Sequence, residues 1–222
     1  MQIFYGSESI IKKPQFGFGN PKNDYGLGFY CTESKELAKE WACQKNKDGF
    51  ANRYELETES LSILDLSSPD FSILYWLSIL MQNRIFSPKS PLGKQNLDFL
   101  ISYYNIKYAE YDIIIGYRTN DSYFSFASDF LENIIPIQSF ATSMKLGRLG
   151  LQVVLKSEKA FEKIVFMDSE KADCAAYYPK YKTRDTEARK SYLENLRHQK
   201  PSESVYLIDI VRNPEMLNEM RV

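Results

Sequence analysis

Two glycines one residue apart, Gly26 and Gly28, lead into the short aromatic stretch Phe29-Tyr30-Cys31, and a helical pattern from Glu33 to Ala42 follows at once. This abrupt strand-to-helix passage constrains the fold more than any other feature. Glycine lets the backbone turn and lets a second backbone, or a flat ligand, approach closely. It places the Tyr30 ring on a rigid strand end that faces an adjacent cleft. Thr32 or Ser34 supplies a side-chain oxygen for the free amides of the first helical turn. Leu37, Ala38, Trp41 and Ala42 recur at helical spacing, so one face of the helix is buried.

The rest of the chain alternates short strands with helices of uneven length. Strands are expected at Gln2 to Phe4, Arg53 to Leu56, Leu61 to Leu66, Tyr111 to Gly116, Gln152 to Leu155 and Lys163 to Met167. Helices are expected at Phe71 to Ile85, Leu97 to Tyr104, Tyr123 to Asn133, Ile137 to Lys145, Glu158 to Phe161 and Thr183 to Gln199. Loops fall at Lys13 to Tyr25 and Ser87 to Gly93, both rich in Pro and Gly. The run Val205 to Val211 reads as strand-like. This pattern predicts an α+β fold with a mixed or antiparallel sheet core. The expected organisation is a domain over residues 1–168 and an extension over 169–222 that packs back on it.

Several chemistries are set aside by what is missing. The only histidine is His198, inside a basic tail, so a Ser-His-Asp or Cys-His arrangement has no natural base. No phosphate-binding glycine loop, GxGxxG or HExxH is present. Cys31, Cys43 and Cys174 form no CxxC pair, which argues against structural zinc and against a disulfide scaffold; no metal is expected. A formal net charge of -1 gives no overall pull toward nucleic acid or membrane. The opening residues lack the pattern of a signal peptide, and no apolar run is long enough to span a bilayer. A cytoplasmic protein is expected. Tyr177 to Lys200 holds seven Lys/Arg against three acids, interleaved with tyrosines. Such a segment stacks bases and neutralises phosphates, or is simply a solvated helix that packs Ala188, Tyr192 and Leu196 on the core.

Four segments occur in a telling order: Phe4-Tyr5-Gly6-Ser7, Asp24 to Thr32 with the helix to Ala42, Tyr111 to Gly116 with Asn120-Asp121, and Gln152 to Phe166. In this order residues 1–168 resemble a bacterial family of small ADP-ribosyltransferase-like domains, long described as a domain of unknown function. That family looks like part of the diphtheria-toxin and polymerase-like His-Tyr-Glu branch. The resemblance implies a split β-sheet core flanked by helices, with a C-terminal helical extension, and NAD as co-substrate. Carried over by position, Tyr5 and Gln152 orient the riboses, and Gly6 offers its backbone to the nicotinamide amide. Tyr30 stacks on the nicotinamide ring, and Ser7 and Thr32 line the same site.

Two positions depart from the branch. Tyr5 stands for its histidine and keeps a hydroxyl donor. Gln152 stands for its glutamate, and an amide supplies no negative charge against developing oxocarbenium character. Asp121 is the leading candidate for a second carboxylate. Read without the resemblance, Tyr30 is a core tyrosine, Gln152 a surface amide, and Asn120-Asp121 a turn and helix cap. Arg184 and Arg189 are candidates for gripping a pyrophosphate or the acceptor.

The expectation is a mono-ADP-ribosyltransferase that acts as the toxin of a toxin–antitoxin or phage-defence system. Its partner is a small antitoxin, a role that comes from the resemblance. Its acceptor is a nucleic acid, RNA or DNA, favoured over a protein side chain. The alternative is a non-catalytic module that binds NAD, ADP-ribose or a partner protein through the same cleft.

Overall fold

The computed structural model describes residues 1–119, 121–146, 150–198 and 204–218. In chain order the elements are β1 (Gln2–Ser7), β2 (Phe29–Cys31), α1 (Lys35–Ala42), β3 (Gly49–Leu56), β4 (Ile63–Asp65), α2 (Ile73–Asn83) and α3 (Pro91–Tyr103). They continue with β5 (Ile113–Tyr117), α4 (Asp121–Leu131), α5 (Ile137–Leu146), β6 (Leu151–Leu155), α6 (Glu158–Glu162), β7 (Ile164–Ala172), α7 (Cys174–His198) and α8 (Leu207–Arg212). The fold is α+β, as expected. Among the described residues no helix is long and apolar enough to cross a membrane.

The chain divides into two compact units that do not follow a boundary at residue 168. One gathers Met1–Ser67, Lys107–Arg118 and Leu149–Arg184; the other gathers Ser68–Ile106, Thr119–Arg148 and Asp185–Val222.

The first unit holds the strands, in two sheets. One is antiparallel with order β1-β3-β7; the other has order β2-β6-β5-β4, with β4 parallel to β5. A single bridge between Phe4 and Thr32 joins β1 to the end of β2, so the split sheet curls around one core. Ile3, Tyr54 and Leu56 enter that core from the first sheet; Phe29, Cys31, Ile113, Val153 and Leu155 enter from the second. Helix α1 covers the opposite side of β1, where Phe4, Ala38 and Ala51 pack together. Its N-cap is Ser34, whose hydroxyl accepts from the Leu37 amide at 3.3 Å.

The second unit is helical, and two expectations change there. Ser87 to Gly93 does not stay a loop. Pro91 occupies the first turn of α3, where a missing N–H costs nothing, and Ser90 caps it by accepting from Gly93 N at 2.8 Å. The run Val205 to Val211 is not a strand, because its apolar residues keep helical spacing. Leu207 and Ile210 are both fully buried, and Asp209 accepts from the Tyr206 amide at 3.0 Å to start α8. The long α7 also begins earlier than its periodicity indicated, at Cys174, and carries Pro179 inside it.

Candidate active site

Strand register decides which of the expected residues meet. Residues directly opposite in an antiparallel pair share a face, and faces alternate along each strand. Cys31 pairs with Val153 and Phe29 with Leu155, and all four point into the inter-sheet core. The other face therefore carries Tyr30 opposite Val154, followed by Thr32 and Gln152, with Gly116 opposite Gln152. Tyr30, Thr32 and Gln152 thus share one face of the sheet.

Tyr5 is not with them. Its ring stacks on Phe29 at 4.3 Å between centroids and packs against the inter-sheet core, and burial raises its pKa. Ser7 is also engaged elsewhere, accepting from Asn52 Nδ2 at 2.9 Å and donating to Ser9 O at 2.6 Å.

Gly6 does face the α1 side. A Cβ there would lie 2.1 Å from the Ala38 carbonyl oxygen, so the helix backbone rests directly on this residue. Phe4 exchanges both of its backbone hydrogen bonds with Thr32, at 2.7 and 2.9 Å. Alternation along the strand sends the Gly6 amide and carbonyl the same way, away from β3 and past the end of the bridge. A paired donor and acceptor thus lie at the strand edge next to Thr32.

The loop before β2 is pinned over this face. Tyr25 donates to Tyr117 O at 2.7 Å, and its hydroxyl occupies the space a Gly116 side chain would need. Tyr30 donates to Gly26 O and accepts from Tyr25 N at 3.1 Å. Lys156 reaches up to the carbonyls of Tyr25 and Leu27, and burial pulls its pKa down to about 8. Gly26 takes a φ of 74°, which its lack of a Cβ permits.

Two buried polar atoms on this side lack partners among the described residues: Gln152 Oε1 and Arg118 Nη1. Gln152 is only 7% exposed. Leaving a buried acceptor unmet costs about 1–3 kcal/mol; Asn96 Oδ1 and Asn133 Nδ2, in the helical unit, are the other such atoms among the described residues. Arg118 stands two residues beyond Gly116, with its guanidinium over the Trp41 ring at 4.0 Å to the centroid. Burial lowers its pKa to about 10, which leaves it charged at neutral pH, and buried Asp24 and Glu40 lie within electrostatic reach. A cleft of about 320 Å³ lies beside Arg118, walled by Trp41, Arg118, Tyr178, Tyr181, Glu40 and Lys45; Gly6, Tyr30, Thr32 and Gln152 are not among its walls.

Residues 1–166 match the sequence profile of the family described as Protein of unknown function (DUF3990). The chain belongs to that family. No curated protein and no solved structure matches it. The DUF3990 region contains Tyr5, Gly6, Tyr30, Thr32, Trp41, Arg118 and Gln152, and it ends before Tyr178, Tyr181, Arg184 and Arg189.

Asp121 opens α4, and its side chain lies outside the described residues, as does that of His198. Arg184 makes a two-pronged contact with buried Glu40 at 2.7 and 3.0 Å, and Arg189 pairs with Asp185 at 3.3 Å. Trp41, Arg118 and Asp24 were missed by sequence reasoning. Helical spacing assigns Trp41 to a buried face, and only the folded chain shows the Arg118 guanidinium stacked over its ring.

Proposed function

We propose that this chain is an NAD-dependent mono-ADP-ribosyltransferase working on the α1 side of the strand-rich unit. The observation that carries the reading is the unpartnered Gln152 Oε1, buried on the same face as Thr32 and Tyr30. It is an acceptor waiting for a hydroxyl or amide donor. The Gly6 amide and carbonyl form a donor–acceptor pair complementary to a carboxamide. Trp41 offers a flat face for a ring, and Arg118 Nη1 a charged donor for a phosphate oxygen. The cleft volume is at the lower end for small-molecule sites, enough for one ring system and its sugar.

In the reaction, the bond between nicotinamide nitrogen and ribose C1′ breaks, and nicotinamide leaves with the electron pair. A lone pair on the acceptor forms the new bond to C1′, and the acceptor's proton passes to solvent. The protein's share is to hold the sugar and exclude other geometries. The toxin role, a small antitoxin partner, a phage-defence context and a cytoplasmic setting rest on the family resemblance.

A second reading has one observation in its favour. Gln152 brings no negative charge to the sugar, which suits a module that binds NAD or ADP-ribose without turnover. The test incubates purified protein with NAD labelled on its adenylate part and a bacterial lysate, alongside Gln152→Ala. Covalent label that the variant fails to transfer supports the transferase. NAD-dependent thermal stabilisation with no transfer and no nicotinamide release selects the binding module, and absence of both overturns the site.

A further inference from the structure

Helical spacing sorts the first part of α7 into groups that are engaged and groups that are open. Residues three and four apart share a helix face. Cys174, Tyr177, Tyr178, Tyr181 and Arg184 form such a face, half-buried while the residues between them are exposed. The stripe is tied to α1 at two points. Tyr177 donates to Glu36 at 3.3 Å, and Arg184 grips buried Glu40 at 2.7 and 3.0 Å. Between these ties, the hydroxyls of Tyr178 and Tyr181 make no hydrogen bond among the described residues, and both residues wall the cleft beside Arg118.

The charges around that cleft do not cancel. Arg118 is cationic, and buried Asp24 and Glu40 lie within its electrostatic reach. Glu40 is already met by Arg184, and exposed Lys45 enters no ion pair among the described residues. Three cations, Arg118, Arg184 and Lys45, thus stand against two carboxylates, Asp24 and Glu40. Lys182, 5.7 Å from both the Tyr178 and the Tyr181 ring centroids, adds a further positive charge. The Trp41 ring holds the Arg118 guanidinium in one plane, and Nη1 keeps a donor without an acceptor. A fixed guanidinium with a donor to give matches an anionic oxygen, above all that of a phosphate. Tyrosine rings beside it match a flat base, because every base has a π-face.

We propose that this cleft binds a nucleoside 5′-phosphate, with the base against Tyr178 and Tyr181 and the phosphate oxygens on Arg118 and Lys45. Both tyrosines lie beyond residue 166, so α7 supplies this recognition from outside the DUF3990 region. The same chemistry has two sources, a free mononucleotide or the adenylate half of NAD. The second source rests on the transferase reading. There the face carrying Gly6 and Gln152, neither of which walls the cleft, takes the nicotinamide half.

The test is isothermal titration calorimetry of the full chain with AMP, adenosine, ribose 5-phosphate and NAD, on the wild type, Arg118→Lys and Tyr178→Leu/Tyr181→Leu. AMP is expected to bind at least about tenfold more tightly than adenosine or ribose 5-phosphate, since each of these lacks one of the two contacts. The tyrosine double variant should weaken AMP about tenfold and leave ribose 5-phosphate unchanged. Arg118→Lys should weaken both about tenfold, because an ammonium lacks the planar fork. Thermal melts without ligand establish that each variant folds. The tyrosines are half-buried, so the double variant decides the matter if Arg118→Lys does not fold. Absence of AMP binding by the wild type overturns the proposal. So does equal affinity for AMP and ribose 5-phosphate, or AMP binding that the double variant retains in full. AMP binding that NAD displaces, with NAD weakened by the same substitutions, supports the site and assigns the adenylate half. AMP binding with no affinity for NAD supports it and assigns a free mononucleotide. AMP binding without any transfer of ADP-ribose sinks the transferase reading and leaves the cleft standing. Transfer with an unchanged KM for NAD in the double variant, and no AMP binding, does the reverse.

Discussion

Replacing Gln152 with methionine separates a structural amide from one kept for a ligand. The side chain is 7% exposed, and Oε1 has no partner among the described residues. Methionine has a similar volume and needs no hydrogen bond, so Gln152→Met removes an unmet acceptor and leaves no cavity. If folding costs about 1–2 kcal/mol to bury that oxygen, the variant regains this amount. For a chain of 222 residues that corresponds to a melting temperature higher by about 2–8 °C. The ligand-dependent part should move the other way. At 100 times its Kd, NAD stabilises the wild type by about 2.7 kcal/mol, and the variant loses most of that gain. Differential scanning fluorimetry with and without NAD reads both effects in one plate. A methionine variant that melts below the wild type without ligand would mean the amide is satisfied in solution. The argument from an orphaned acceptor would then collapse.

Other perturbations probe different parts of the arrangement. Gly6→Ala drives a methyl to 2.1 Å from the Ala38 carbonyl, where only backbone could yield. Urea melts should show a loss of about 3 kcal/mol, and a loss below about 0.5 would show that α1 does not rest there. Tyr5→Phe keeps the ring between the sheets beside Phe29. Label transfer is expected to stay near wild type, and a hundredfold fall would place the hydroxyl in the site after all. Trp41→Ala should abolish NAD-dependent stabilisation, and retained stabilisation would remove the cleft from the binding site. Lys156 has its pKa lowered by burial to about 8, from 10.5. Between these values the unfolded chain holds a proton that the folded chain has released, so stability rises with pH across that window. The wild type should therefore gain on Lys156→Met between pH 7.5 and 9.5 in thermal melts; a flat or falling difference contradicts the buried charge.

Local chemistry made much of this fold legible, and parity hid part of its site. The β-branched run at Tyr111 to Gly116 and the Ser34 cap with helical spacing behind it state their structures locally, because propensity, pattern and cap agree. Val205 to Val211 misled because a short apolar run with β-branched residues carries either period, and burial of Leu207 and Ile210 then selects the helix. The site is harder, since it depends on which face each strand residue takes, and one residue of slip reverses every side chain. Phe4 and Tyr5 are both aromatic, so β1 alone does not say which of them faces α1. The Phe4–Thr32 bridge decides it: Phe4 and Gly6 turn to the helix, and Tyr5 turns to the core. The same parity puts Gln152 beside Gly116, two residues before Arg118, whose guanidinium lies over Trp41 from a distant part of the chain. A signal was present in Gly116 itself. A glycine at the end of a run of isoleucines weakens the strand unless something must pass close to it. Here the Tyr25 hydroxyl fills that space, holding the glycine loop above a face where two buried polar atoms stand without partners.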